Sequence, residues 1–371
     1  MAKQIHQLVH TLSYGDAISS EVLSLRRCFQ KMSFESEIFA INAHPRYKHL
    51  AYDYQDLPAG FSDQAILHYS LGSPLNEKFL SLDQARRTLI YHNLTPSHWF
   101  KSINPRIVAD IERGMRELPQ LCSVSDNVIA DSRFNAGELH ELGVTAQVLE
   151  LPVDPQRWAE PANTGLNRLL KSDSCLHILH VGRIAPNKCI EDLLKTFYFL
   201  HHYLEKKSKL WLVGIDIDTE LYSFALKRMC EEFDLQDAVI FTGPLVDSEI
   251  RALYENCSIY MCMSEHEGFC LPVLEAMHFG LPVIAYASSA LPDTVGKGGI
   301  LVREKRHAEL AELVLEVAGS EPLRESLIRA GRERVGELSF ANFEGRVEEI
   351  FGSEILKSAA GITAAPAAAH G

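Results

Sequence analysis

The chain has 371 residues, 46% of them hydrophobic and 23% charged, enough to bury two domain cores rather than one. No run reaches the roughly 18 consecutive apolar residues a membrane-spanning helix needs, and the start, "MAKQIHQLVHTL", lacks the basic-then-apolar plan of a secretory signal. A formal charge of −13 argues against general nucleic-acid binding, which needs a basic footprint, while leaving room for a local anion site.

Short apolar runs recur along the chain, each followed by a turn and an amphipathic segment. In the first half they are "IHQLVH" from Ile5, "EIFAIN" from Glu37, "AILHYS" from Ala65, "TLIYHN" from Thr88, "NVIADS" from Asn127 and "AQVLEL" from Ala146. "LPVDPQRW", Leu151 to Trp158, carries two prolines and reads as a linker. The second half repeats the rhythm with "LHILHVG" from Leu176, "LWLVG" from Leu210, "AVIFTG" from Ala238, "IYMCMS" from Ile259, "PVIAYA" from Pro282 and "GILV" from Gly299. Strands alternating with helices predict parallel sheets covered on both faces, hence two doubly wound α/β domains with a cleft between them. The expected boundaries are 1–155 and 156–338, an amphipathic helix over 339–356, and a small-residue disordered tail over 357–371. The eight cysteines are scattered, without closely spaced pairs; they read as small buried hydrophobes in a reducing, cytoplasmic compartment, with no structural metal.

In such sheets ligands bind beyond the carboxyl ends of the strands. After "LHILHVG", whose last residue is Gly182, comes "RIAPNKCIEDLLKTF", in which Arg183 ends the strand, Pro186 turns the chain and Lys188 precedes a helix that begins near Ile190. Arg183 and Lys188 can hold a diphosphate there, one as a planar fork and one as a point charge, although an ordinary solvated turn also carries such charges. Both are expected to face the cleft and to matter little for folding. A later strand ends in "SEHEGFCLPVLEAM". Gly268 supplies a permissive backbone and Pro272 suits the first turn of a helix, so the amides of Phe269, Cys270 and Leu271 would open a helix N-terminus that attracts phosphate. Glu267 and Glu275 bracket that terminus. Neither suits a phosphate, and both suit hydroxyls, so the ligand that fits has sugars flanking a diphosphate: a nucleotide sugar. The helix dipole alone accounts for Glu275 but not for Glu267 beside a glycine.

"VGRIAPNK" followed by "SEHEGFCLPVLEAMHFGLPVIAY" resembles the C-terminal domain of the family 4 retaining glycosyltransferases, which have the GT-B fold: two Rossmann-like domains facing each other across a cleft. The resemblance covers roughly Leu176 to Val302 well and the first half more loosely. It implies that Arg183 and Lys188 neutralise the donor diphosphate, that Glu275 binds the ribose hydroxyls, that Glu267 binds the transferred sugar, and that the loop around Leu245 in "FTGPLVDSEI" holds the base. In "HTLSYGDAISSEVLSL", Gly15 and Asp16 match a loop that is richer in glycine in the family and closes over donor and acceptor. The family has a histidine near His92 of "IYHNLTP" that contacts the transferred sugar; His68 has a similar location with weaker support. The resemblance also implies a final helix that packs back on the first domain, so that the chain crosses between domains near Leu151–Trp158 and near Glu337–Phe340.

The expected activity is metal-independent, retaining transfer of a hexose from a nucleotide diphosphate sugar to a saccharide or lipid-linked saccharide, in polysaccharide or glycoconjugate synthesis. The alternatives are a catalytically silent nucleotide-sugar-binding protein and a GT-B sugar-nucleotide epimerase. Asp216 and Asp218 in "GIDIDTE" form an Asp-x-Asp pattern, which reads as an acidic turn rather than a metal site. No "GxGxxG" follows any strand, so a dinucleotide cofactor has no support. Peripheral membrane contact would use Lys78 to Arg116, with seven Lys/Arg against three Asp/Glu, unless that stretch is a solvated helix face.

Overall fold

The computed structural model describes residues 3–361, and side chains through residue 352. Its strands form two sheets, parallel throughout. The first contains β1 (Ile5–Leu12), β2 (Ile38–Ala43), β3 (Ala51–Asp53), β4 (Gln64–Tyr69), β5 (Arg86–Tyr91), β6 (Asn127–Ala130) and β7 (Gln147–Val148), in the order β3-β2-β1-β4-β5-β6-β7. The second contains β8 (Leu176–Val181), β9 (Ser208–Val213), β10 (Val239–Gly243), β11 (Ile259–Cys262), β12 (Val283–Tyr286) and β13 (Ile300–Val302), in the order β10-β9-β8-β11-β12-β13. The twelve runs read from the sequence are all strands. β3 escaped that reading because it is three residues long at a sheet edge, with Tyr52 and Asp53 exposed. The others are apolar runs rather than alternations because helices cover both faces, as the burial of every residue from Ala65 to Tyr69 in β4 illustrates.

In the first domain the starts of the α-helices are fixed by short polar side chains. Asp16 accepts from the Ser19 amide at the start of the helix Ala17–Lys31, Asn104 caps Pro105–Ser123, and Ser132 caps Arg133–Glu141. Each domain has a core on either side of its sheet. Leu67, Leu89 and Phe79 lie on one side of the first sheet, with Ile5, Ile66 and Ile90 on the other. Leu179 and Leu274 lie opposite Ile178 and Leu193 in the second. Strand order reverses between β1 and β4 and between β8 and β11, opening a crevice at each carboxyl edge. The two crevices face each other in the GT-B arrangement.

The last helix, Phe340–Gly361, lays Phe343, Val347, Ile350 and Phe351 onto Ile5, Leu25 and Phe29 of the first domain. It runs past 356, so residues 357–361 continue the helix, and the remainder of the tail, 362–371, lies outside the described residues. The two crossings between domains touch: Val153 and Ser339 form a parallel β-bridge. The basic stretch from Lys78 to Arg116 is not one helix face. It is shared among the end of the helix Pro74–Ser81, β5, a 3-10 turn and the start of Pro105–Ser123. Among the described residues no helix is long and apolar enough to cross a membrane.

Candidate functional site

β8 delivers Gly182 and Arg183 to the second crevice, and a 3-10 turn, Pro186–Lys188, follows. Lys188 Nζ lies 2.6 Å from Glu267 Oε2, with both side chains largely buried. Burial alone would raise the Glu267 carboxyl, but the ammonium outweighs it and holds the group below its usual range. Lys188 is correspondingly raised despite its burial. Arg183 stands apart from this pair, donating from Nη2 to the Ile217 carbonyl at 2.7 Å. The two cations therefore have separate partners in the protein.

The stretch after β11 is tied down from several sides. Asn187 accepts from the Glu265 amide and donates to the His266 carbonyl, both at 2.9 Å, and the Glu267 amide donates to Ser289 Oγ at 2.8 Å. Cys270 sits at φ 74° as the N-cap of the helix Leu271–His278, with Pro272 in its first turn. No other backbone group among the described residues takes the Phe269 or Cys270 amide. One turn into the helix, Glu275 is 2% exposed. It pairs with Arg157 Nη1 through Oε1 and accepts from the Tyr254 hydroxyl at 3.0 Å through Oε2. The Leu245 loop lies alongside: Leu245 packs on the same core, and Asp247 accepts from Arg157 Nε at 3.0 Å.

The first domain meets this edge directly. The Asp247 amide donates to the Tyr14 hydroxyl at 2.8 Å, next to Gly15, whose φ of 79° needs a residue without a Cβ. Asp16 is occupied as a helix cap, accepting from both the amide and the hydroxyl of Ser19 at 2.9 Å. A Cβ on Gly268 would lie 2.9 Å from Asn93 Cβ and 3.0 Å from the His92 carbonyl, so the domains are in contact here. At the flank Asp218 binds Arg106 of the first domain at 2.9 Å, which gives this acidic turn a partner in the protein itself.

His92 lies at the end of β5, but its ring does not face open cleft. The side chain is fully buried, with Nδ1 3.3 Å from Asp131 and Nε2 2.9 Å from His68 Nδ1. The outer nitrogen of His68 meets Gln7 Oε1 at 2.9 Å, and Gln7 is oriented by donating to the Val22 carbonyl at 3.0 Å. Both outer nitrogens face acceptors; burial lowers both rings, but Glu21 and Asp131 leave His92 raised while His68 stays low. The ring planes are within 15° and their centroids are 5.2 Å apart, which places the inner nitrogens in line, as a hydrogen bond between them requires. Glu21 Oε2 lies 3.4 Å from His92 Nε2, and neither of its oxygens has a hydrogen bond. Burial pushes Glu21 up to about 8 against the opposing pull of His92.

Sequence reasoning missed Arg157, Glu21, Asn93 and His266. Arg157 lay in the stretch read only as a linker, and Glu21 drew no reading of its own. His266 lay inside the quoted motif and was passed over because its Asn93 partner is 173 residues away, at 2.6 Å.

Residues 167–334, a span that includes Arg183, Lys188, Glu267 and Glu275, match the family described as Glycosyl transferases group 1. The match takes in most of the second domain. The chain is 33% identical over 120 residues to the serotype-specific mannosyltransferase WbdA of Escherichia coli, a match covering 32% of this chain and 14% of that protein. It is 28% identical over 170 residues to the GDP-mannose:cellobiosyl-diphosphopolyprenol alpha-mannosyltransferase of Xanthomonas oryzae, covering 44% of this chain and 40% of the relative. The chain thus spans less than half the length of these curated relatives. The whole fold is similar to that of sucrose-phosphate synthase from Thermosynechococcus elongatus, with a TM-score of 0.74, 17% identity, and 96% and 100% of the two chains covered.

Proposed function

We propose that the chain is a retaining glycosyltransferase that moves a hexose from a nucleotide diphosphate sugar to a saccharide or lipid-linked saccharide during polysaccharide or glycoconjugate synthesis. The observation that carries this reading is the pairing of Lys188 with Glu267 at the crevice between β8 and β11. An ammonium suited to phosphate oxygen and a carboxylate suited to sugar hydroxyls meet there, as they must at the junction of a diphosphate and its sugar. Glu275, one turn into the helix, then accepts from the ribose hydroxyls and the Leu245 loop borders the base. In turnover, Lys188, Arg183 and the amides before Leu271 stabilise charge developing on the leaving diphosphate, and a phosphate oxygen takes the acceptor proton on the same face of the sugar. No divalent ion is needed for this charge. A lipid-linked acceptor would place a cytoplasmic enzyme at the inner face of the membrane; the Xanthomonas relative takes its name from an acceptor of this kind.

The test is a panel of nucleotide sugars screened for protection against thermal unfolding, followed by assay of nucleoside diphosphate release with and without saccharide acceptors. Release that requires acceptor and persists in EDTA supports the proposal. Binding without release would identify a silent binding protein. Conversion of the donor without an acceptor would identify an epimerase, and activity restored only by Mn²⁺ or Mg²⁺ would overturn metal independence.

A further inference from the structure

Arg157 lies near the end of the linker, and its guanidinium lies between two carboxylates of the second domain. Nε donates to Asp247 Oδ1 at 3.0 Å, Nη1 meets Glu275 Oε1, and the flat face rests on the Trp158 ring 4.6 Å from its centroid. Three residues earlier in the linker, Asp154 pairs with Arg27 of the first domain at 2.8 Å. The same short segment therefore grips the first domain at one end and Glu275 at the other.

We propose that Arg157 is a positioning residue for Glu275: it supplies the buried counter-charge that keeps this carboxylate an acceptor for ribose hydroxyls, and it ties that carboxylate to the hinge. The inference rests on the nucleotide reading of Glu275 given above. A carboxylate has about four lone-pair sites. Arg157 takes one on Oε1 and Tyr254 takes one on Oε2, which leaves each oxygen a site for one hydroxyl of a diol. The groups facing Glu275 are Arg157 from the linker and Asp247 and Tyr254 from the helix Asp247–Asn256. Burial already raises Glu275, with Arg157 opposing and Asp247 adding to the rise. Without the guanidinium, burial and Asp247 act unopposed by any cation, and Glu275 takes a proton at higher pH. A protonated carboxyl cannot accept from both ribose hydroxyls at once.

The experiment is nucleotide binding by calorimetry across pH 5.5–8.5, using whichever of UDP and GDP binds the wild-type full chain. The readout is the ratio of variant to wild-type Kd at each pH, which cancels the titration of the diphosphate itself. For Arg157→Gln the ratio should stay within about 3-fold of one at pH 8.5 and rise as pH falls, approaching tenfold per pH unit where the variant carboxyl is protonated. Between Arg157→Gln/Glu275→Gln and Glu275→Gln alone, the ratio should be flat. A flat ratio for Arg157→Gln, or a slope that survives in the Glu275→Gln background, overturns the inference. If Glu275→Gln binds nucleotide as tightly as wild type, it is the nucleotide reading that fails. Should Arg157→Gln not fold, Arg157→Lys keeps the charge without the planar fork. It should weaken binding several-fold with no pH trend, and undiminished binding would overturn the proposal.

Discussion

His266 Nε2 lies 2.6 Å from Asn93 Oδ1, a hydrogen bond that joins the second domain to the first at the mouth of the cleft. The orientation of Asn93 is fixed because its amide nitrogen donates to Asn135 and Glu138, both at 2.8 Å, so its oxygen faces His266 and the ring nitrogen is the donor. Burial holds the imidazole well down, at about 4, so it is neutral and this contact persists across the physiological range. The cleft is shut at this point, and Gly268 beside it allows the approach.

Gly268→Ala tests whether shutting matters. The added methyl meets Asn93 and the His92 backbone at 2.9 and 3.0 Å, and backbone does not yield cheaply. Nucleotide binding to the second domain should be nearly unchanged. Turnover should fall by about 10²-fold, because groups held even 1 Å out of place lose that much. Small-angle scattering should show a larger radius of gyration than wild type with nucleotide and acceptor present. Wild-type turnover in Gly268→Ala would show that this contact is not part of the working state.

Lys188 has two roles that separate by double substitution. Lys188→Ala leaves Glu267 buried without its cation and should cost roughly 3–5 kcal/mol of stability, which differs from the small effect expected of a residue facing open cleft. Lys188→Met/Glu267→Gln should recover most of that stability in urea denaturation, yet remain about 10²-fold or more below wild type in turnover. Arg183→Ala should lose turnover with little change in stability, since its side-chain hydrogen bond runs to the Ile217 carbonyl alone. Full activity in the double variant would remove Lys188 and Glu267 from the donor site.

Glu21 makes stability depend on pH in a direction opposite to most carboxylates. Its folded value, about 8, lies above the usual 4.5, so the stability it contributes is complete below about pH 4.5 and is lost as pH rises through 8. Glu21→Gln should match wild type near pH 4.5 and exceed it by more than ~1 kcal/mol at pH 8.5. Equal stabilities of the two proteins at both pH values would show that Glu21 is ionised in the fold.

Truncation before Phe340 removes four buried apolar side chains, Phe343, Val347, Ile350 and Phe351, from the first domain. At about 1.5–3 kcal/mol each this is a large share of a domain's stability. Aggregation or lost activity should follow even though Arg183, Lys188, Glu267 and Glu275 remain. A monomeric, fully active truncated chain would show that the first domain does not need the helix.

The frame of the protein was legible because helices bury both faces of each sheet, which leaves continuous apolar runs in the sequence. The second domain's site was legible for a related reason. Lys188 lies seven residues past the end of β8, in the 3-10 turn Pro186–Lys188, and Glu267 and Glu275 bracket a helix start marked by Gly268 and Pro272, so local chain geometry places them. What stayed hidden depends on contacts distant in sequence. Arg157 finds Glu275 118 residues later, and His266 finds Asn93 173 residues earlier. His92 shows the limit of placing a residue by its strand. The end of β5 brings it to the crevice, but Glu21, His68 and Asp131, from one helix and two neighbouring strand regions, turn its ring inward.

The return of the last helix onto the first domain also sets an order of events during synthesis. Ile5, Leu25 and Phe29 leave the ribosome early, yet the side chains that cover them, from Phe343 to Phe351, are made more than 300 residues later. At ~5–20 residues per second the wait is on the order of 15–60 s. During that time the second domain, complete by about residue 338, can fold while the first still shows an uncovered apolar face. Of the two domains, the one made earlier is thus completed later, and for that interval it presents exposed hydrophobic surface of the kind chaperones bind.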